Sequence, residues 1–518
     1  MKKLKEGTLE KLKNLWITIK YLFKIYCKTT TLHGFRYISD KNLSFIEKLI
    51  WAAICLTLSI FCIYLMTISY KTVQERRTII RISDIDAPIH ELDFPAVTIC
   101  NFNKVYRPSS YDMERKLQAS GYDNKTIDDF FQNLPQLIRP FREDVNYTKF
   151  NEMLYKMGNK LKGLLLRLMQ PCNDMIKSCT WNGVDYNCDN LFRPVYSLMG
   201  HCCSFNNHVS RLYATKTYSP QCDKSYKKYT DNKTKNKCDT ECPGRRKILK
   251  TPGAGKNKGL KVELDIKSKD YRGSTREYVG ASIIIHAAED YPEPDILVVT
   301  AQPEHNINIA LTGTTITGTD DIDALSKTER NCVLKDEKYI GYSYNSCITG
   351  CKMTRIEAAC DCIPYNFATP CVNLSGLCDF KSINCIQKYH MKITQLFEET
   401  TLDNGKVLPP CQCEETCNRV FYKMFVDIYR KIIPNYYYLN PKIYELEDSN
   451  INMSHVRIFF PNTGYMKYEL NCFMTWDNLI ANLGGLISLC LGGSLISILE
   501  PFIYFLLRHL QTNKNINH

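Results

Sequence analysis

The sequence predicts a membrane protein in which two transmembrane helices flank one large, disulfide-rich α+β extracellular domain. Three observations carry this reading. Residues 49–70, LIWAAICLTLSIFCIYLMTISY, hold no charged side chain over 22 positions, and a bilayer core needs about 20 helical residues. A second apolar stretch lies near the end of the chain, with Glu500 as the only charge between residues 478 and 507. Between the two, 20 of the 25 cysteines fall from Cys100 to Cys417, an even number that suits an oxidising compartment.

Taken in order, residues 1–48 read as cytoplasmic. They carry eleven Lys/Arg against four Asp/Glu, and basic flanks stay inside. Lys20, Lys24 and Lys28 interrupt every apolar run before the first span, so no cleavable signal peptide is visible and residues 49–70 act as the signal anchor. Leu9, Leu12, Trp16, Ile19, Phe23 and Tyr26 recur at helical spacing among lysines. That pattern fits a helix on the anionic inner leaflet, and equally a helix packed on the protein itself. Arg508 and Lys514 put the short tail, residues 508–518, on the same side.

Residues 71–471 then form the single external domain. All five N-x-S/T sequons lie there, at Asn124, Asn146, Asn232, Asn373 and Asn452. The formal charge of +13 does not indicate nucleic acid: its second concentration, residues 223–261, contains cysteines and a sequon and reads as a solvated loop. FPAVTIC (residues 94–100) reads as a buried strand opened by Pro95, and residues 103–170 as largely helical and polar. Residues 278–295 read as a strand ending in an acidic, proline-broken turn, with residues 295–301 and 307–313 continuing a sheet. GAGKNKG (residues 253–259) lacks the spacing and the Ser/Thr of a phosphate loop.

Residues 332–420 are densest in cysteine. Cys347 and Cys351 lie on one face of a predicted helix, about 6 Å apart. Cys411 and Cys413 lie on one face of a predicted strand, about 6.6 Å apart. Matched pairs at nearly equal rise can be joined by parallel rungs. Clustered cysteines also suit zinc, but a glycosylated extracellular domain favours disulfides, and the sequence calls for no metal and no cofactor.

The second apolar segment, residues 472–507, is too elaborate for an anchor. It carries glycine pairs at Gly484, Gly485 and Gly492, Gly493, then Ser494, Glu500 and Pro501. The thirty residues 478–507 as one helix would run about 45 Å, longer than the hydrocarbon core. In lipid, irregular backbone is tolerated only inside protein or against water, so residues 492–494 are an expected helix break on an aqueous path. Ser494 adds a hydroxyl suited to a dehydrating cation, and an intramembrane carboxylate faces a cavity or partner. Small residues alone would fit helix packing; with Ser494, Glu500, the excess length and a second span, a pore is favoured.

These motifs, in this order, resemble the degenerin/epithelial sodium channel superfamily, which includes the acid-sensing channels, and most resemble its arthropod pickpocket type. His33-Gly34 resembles the family's gating motif before the first span. FPAVTICNFN (residues 94–103) resembles the start of its extracellular domain, and GHCCSFN (residues 200–206) its G-x-C-x-x-F-N element. YSYNSCITGC, CDC and CQCEETC resemble its thumb cysteines, and GGSLISILE its Gly-x-Ser filter. The resemblance runs from His33 to Arg508.

It implies a homo- or heterotrimer of hand-shaped subunits (palm, thumb and finger) in the plasma membrane, in contact with lipid. The second spans would line a sodium-selective, amiloride-blockable pore, with Na⁺ the permeant ion. Gly492, Gly493 and Ser494 would be the filter, and Ala481, Asn482, Gly484, Gly485 and Glu500 the pore and gate. Asn482 stands where the acid-sensing members carry Asp. The implied disulfides are Cys100 with Cys202, Cys179 with Cys188, Cys332 with Cys417, Cys347 with Cys413, Cys351 with Cys411, Cys360 with Cys378 and Cys362 with Cys371. Cys172, Cys203, Cys222, Cys238, Cys242 and Cys385 stay unassigned. Glu289 and Asp290 align with acidic-pocket carboxylates, yet Phe380 stands near one partner position, so a solvated acidic turn is the favoured reading. Residues 245–247, RRK, read equally as a processing site or an exposed basic loop. No nucleophile, base and orienting group form an enzyme motif, and a non-conducting or accessory cell-surface receptor subunit is the alternative function.

Overall fold

The computed structural model describes residues 23–75, 77–140, 147–156, 161–208, 248–293, 297–334, 337, 342–367, 376–431, 453–494, 496–497, 499–500 and 502–503. The chain divides into two compact units, Ile80–Leu470 and the two flanking segments together, Met1–Ile79 with Asn471–His518.

Two sheets organise the Ile80–Leu470 unit. A five-stranded antiparallel sheet runs in the order Leu297–Ala301, Ala281–His286, Ala96–Asn101, Gly200–Phe205, Phe192–Ser197. Ala96–Asn101 is buried at all six positions, as are Ala281–His286 and Gly200–Phe205, which explains the unbroken apolar run in the sequence. Phe94, fully buried, sets its ring edge-on to Trp181 at 4.8 Å and Phe460 at 5.5 Å, knitting this sheet to a mixed, eight-stranded one. There His305–Gly318 is central: it pairs antiparallel with Arg419–Arg430 and parallel with Ser454–Phe459 and Gly464–Cys472.

The region expected to be helical opens with a short strand, Asn103–Tyr106, and then holds the helices Arg107–Ala119, Asn124–Asn133, Thr148–Lys156 and Leu161–Leu168. They share a core with Leu117, Phe130, Phe131 and Phe380 fully buried. Asn124, the one sequon asparagine among the described residues, is exposed in the first turn of its helix, after the Asp123 cap. Asn146, Asn232, Asn373 and Asn452 lie outside the described residues, as do residues 245–247. The GAGKNKG stretch is a loop whose Gly259, at φ +119°, lets the backbone approach Ile458 where a Cβ would lie 2.3 Å from its carbonyl oxygen.

The helix Tyr344–Cys360 starts at the Ser343 cap, whose hydroxyl accepts from the Ser346 N–H at 3.0 Å. Cys347 bonds Cys413, Cys351 bonds Cys411, and Cys332 bonds Cys417. Cys411 and Cys413 sit on irregular chain rather than the expected strand; alternation along any extended segment is enough to present both sulfurs to one side. Bridges closing 60 to 85 residues each remove about 4 kcal/mol of unfolded-chain entropy if taken alone.

Cys100–Cys202 and Cys179–Cys188 are bonded. Two expected pairings are corrected. Cys360 bonds Cys385 rather than Cys378, and Cys362 bonds Cys378 rather than Cys371. The helix Ile383–Thr394 packs on Tyr344–Cys360 and brings the Cys385 sulfur within 3.7 Å of the Ala359 carbonyl, one residue before Cys360. Cys172, previously without a partner, bonds Cys203. Cys222, Cys238, Cys242 and Cys371 lie outside the described residues.

In the second unit the helix Phe45–Glu75 has 31 residues, about 46 Å at 1.5 Å per residue, and so extends past residues 49–70 at both ends. A capping box explains the early start: the Ser44 N–H donates to Glu47 Oε2 at 2.7 Å, and the Glu47 N–H donates to Ser44 Oγ at 3.3 Å. Residues 23–29 are helical; the rest of the expected N-terminal helix lies outside the described residues.

Candidate functional site

The second apolar segment is not one helix. Trp476–Leu491 ends at Gly492, which takes the left-handed conformation with φ +64°, and residues 492–494 are irregular. Helical backbone returns at residues 496–497 and 499–500. Sixteen residues make about 24 Å of helix, short of a bilayer core of about 30 Å. The break falls where the sequence places it, and glycine explains why, since a Cβ is disfavoured at that φ.

A break leaves backbone groups without helical partners. Residues 30–34, which precede the helix Phe45–Glu75, supply them. The His33 N–H donates to the Leu491 carbonyl at 2.8 Å, the last carbonyl before the break. Thr31 Oγ1 lies 2.6 Å from Ser497 Oγ, and Ser497 Oγ accepts from the Ser494 N–H at 3.0 Å. Glu500 accepts from Thr30 Oγ1 at 2.9 Å and from the Thr31 N–H at 3.2 Å. The carboxylate expected to face a cavity or a partner thus has its partner, within this chain, in the N-terminal segment.

The His-Gly motif sits at the break itself. A Cβ on Gly492 would lie 2.1 Å from His33 Nδ1, and one on Gly493 would lie 3.0 Å from Leu32 Cδ2. Gly34, at φ +84°, turns the chain over the helix Phe45–Glu75, where a Cβ would meet Cys55 Sγ at 2.6 Å. Both small motifs are therefore small because each backs onto the other or onto the long helix. Thr30, Thr31 and Ser497 escaped the sequence reading; the hydroxyl run at residues 29–31, two residues from His33, was the available signal.

One stripe of Trp476–Leu491 faces the long helix. Leu479 is buried, Asn482 Nδ2 donates to Ser69 Oγ at 3.1 Å, and the Leu486 carbonyl lies 3.8 Å from Cys62 Sγ. Ala481, Gly484, Gly485 and Ser488 fall on the other side and are exposed; nothing lies within 4 Å of a Cβ built on either glycine. Among the described residues the first glycine pair therefore contacts no other helix.

In the other unit, the acidic turn is engaged rather than solvated. Asp290 and Glu293 are buried. Asp290 Oδ2 accepts from Asn345 Nδ2 at 2.8 Å, while Glu293 pairs with Lys352 and accepts from Thr349 Oγ1 at 3.0 Å. Glu289 is half-buried. Phe380 is fully buried and stacked on Tyr147 at 5.6 Å, so it is a core residue. His286, buried beside this turn, is held below the ordinary histidine range by loss of solvent. Its Nδ1 faces the Ala287 carbonyl at 2.9 Å and must donate there, leaving Nε2 to accept from Thr98 Oγ1 at 2.9 Å.

Among the described residues no group of three or more His, Cys, Asp or Glu is placed to hold a metal ion.

Residues 26–505 match the family described as amiloride-sensitive sodium channel. The chain is 24% identical to the sodium channel protein Nach of Drosophila ananassae, over 94% of this chain and 87% of that protein. It is 23% identical to pickpocket protein 28 of Drosophila melanogaster, over 95% and 79%. It is also 23% identical to acid-sensing ion channel 4-B of Danio rerio, over 92% and 75%. With a matched span that includes the His-Gly segment, the disulfide-rich extracellular domain and the broken helix, this chain belongs to the amiloride-sensitive sodium channel family and is a cation-channel subunit of the degenerin/epithelial sodium channel type.

Proposed function

We propose that this chain is a subunit of a trimeric, sodium-selective, amiloride-sensitive channel of the plasma membrane, gated through its extracellular domain. Both chain ends would be cytoplasmic, and residues 472–507 would cross the membrane as the pore-lining segment. The observation that carries the reading is the helix break at residues 492–494, backed by residues 30–34. Residues 30–34 back the break while Ser494 itself is exposed, and its hydroxyl with the local carbonyls would be the oxygens that coordination of a dehydrating cation uses. The exposed stripe of Ala481, Gly484, Gly485 and Ser488 supports close approach of neighbouring copies above that ring. No cofactor enters; Na⁺ is cargo.

The test is whole-cell current from cells expressing this chain alone, wild type against Ala481→Val. A bulky side chain at the closest approach of three helices should hold the gate open and give a sustained, amiloride-blocked Na⁺ current. Surface expression without current, alone and with related subunits, would refute the reading and leave a non-conducting receptor.

A further inference from the structure

Two buried donors in the Ile80–Leu470 unit point into one small cavity. Lys104 lies on the strand Asn103–Tyr106, 5% exposed, and Tyr365 follows the Tyr344–Cys360 helix, 1% exposed. Neither the Lys104 ammonium nor the Tyr365 hydroxyl has a hydrogen bond or ion pair among the described residues. Both line a cavity completed by His201 and by apolar Leu134, Ile138 and Leu165. It leaves about 10 Å³ for the centre of a water-sized guest, room for one small particle. Gly200 makes that room: at φ +87°, its Cβ would lie 2.8 Å from Tyr365 Oη.

Buried ammonium groups are paired or they lose their proton. Burial brings the Lys104 pKa down to about 7, so at neutral pH much of the population still holds an unpaired cation. Among the described residues no carboxylate lines the cavity. The ammonium and the phenol offer donors, which an electron-rich guest satisfies and a cation does not. That volume suits a monatomic guest better than a polyatomic one, and apolar walls favour a weakly hydrated monoanion.

We propose that Lys104 and Tyr365 form a binding site for a single halide-sized anion, chloride in extracellular fluid, that neutralises the buried ammonium and ties the Asn103–Tyr106 strand to the base of the cysteine-bridged helices. The site is independent of ion conduction, so its test does not depend on the channel reading. Purified full-length protein would be unfolded thermally in sodium chloride and in sodium gluconate of equal ionic strength. Wild type should unfold about 1–2 °C higher in chloride. Lys104→Met should abolish that difference, and Tyr365→Phe should reduce it. Bromide-substituted crystals should show an anomalous peak in the cavity, a measurement that needs no variant to fold. Equal unfolding temperatures in the two salts, a chloride effect undiminished in both variants, or bromide absent from the cavity would overturn the assignment and leave water as the guest.

Discussion

Replacing Gly492 with alanine tests the coupling between the N-terminal segment and the break. At φ +64° an L-residue costs about 1–2 kcal/mol relative to glycine. Sterics add to this, because the new Cβ would lie 2.1 Å from His33 Nδ1 and 2.4 Å from its Cγ and Cε1. Carbon contacts settle near 3.5 Å, so the ring must retreat by more than about 1 Å. It cannot do so freely: the His33 N–H is bonded to the Leu491 carbonyl and Gly34 is already against Cys55. The backbone penalty alone lowers the seated population by about 5–30-fold. Bi-ionic reversal potentials should show Na⁺ over K⁺ selectivity falling toward unity, and a Thr31→Cys reporter should react faster with cytoplasmic thiol reagents. His33→Ala added to Gly492→Ala should restore part of both, because it relieves the clash but not the φ penalty. The reasoning fails if Gly492→Ala keeps wild-type selectivity, or if the two substitutions act additively.

Three further outcomes follow from the extracellular unit. Lys352→Met strands the buried Glu293 carboxylate, whose partner side chain is itself only 19% exposed; chemical denaturation should show a loss of about 3 kcal/mol, much of it recovered in a Lys352→Met, Glu293→Met double variant. His286 is held neutral by burial, so the unfolded chain binds the extra proton first: stability should be full above about pH 6.5 and fall as pH drops below it, and His286→Gln should flatten that slope. A wild-type slope no steeper than the variant's would sink the assignment. Non-reducing peptide mapping should recover Cys360 joined to Cys385 and Cys362 joined to Cys378; recovery of Cys360 with Cys378 would reject this connectivity.

What the sequence made legible was whatever repeats at short range. The apolar run at residues 49–70, the spacing of Cys347 and Cys351 against Cys411 and Cys413, and the glycine break all follow from local periodicity. Connectivity among Cys360, Cys362, Cys371, Cys378 and Cys385 did not, because five closely spaced cysteines offer more pairings than spacing can separate. Only the docking of Ile383–Thr394 decides between them. Glu500 was readable as a carboxylate in need of a partner, but its partner Thr30 lies 470 residues away, and no local pattern reports a contact at that separation. The acidic turn was misjudged for the same reason: its neutralising groups come from another element, 55 to 59 residues further on.

Those groups also bear on how a stimulus reaches the fold. Along Tyr344–Cys360, Asn345, Thr349 and Lys352 stand at intervals of four and three, one helical face, and all three meet the carboxylates of the acidic turn. Cys347 and Cys351 occupy the opposite face and carry the disulfide rungs. The helix is therefore covalently fixed behind and held in front by polar contacts alone. Asp290 faces the Asn345 amide and Glu293 the Lys352 ammonium. An agent that moves this helix has to compete for those polar partners, and covalent rungs leave rotation about the disulfide side as the motion of lowest cost.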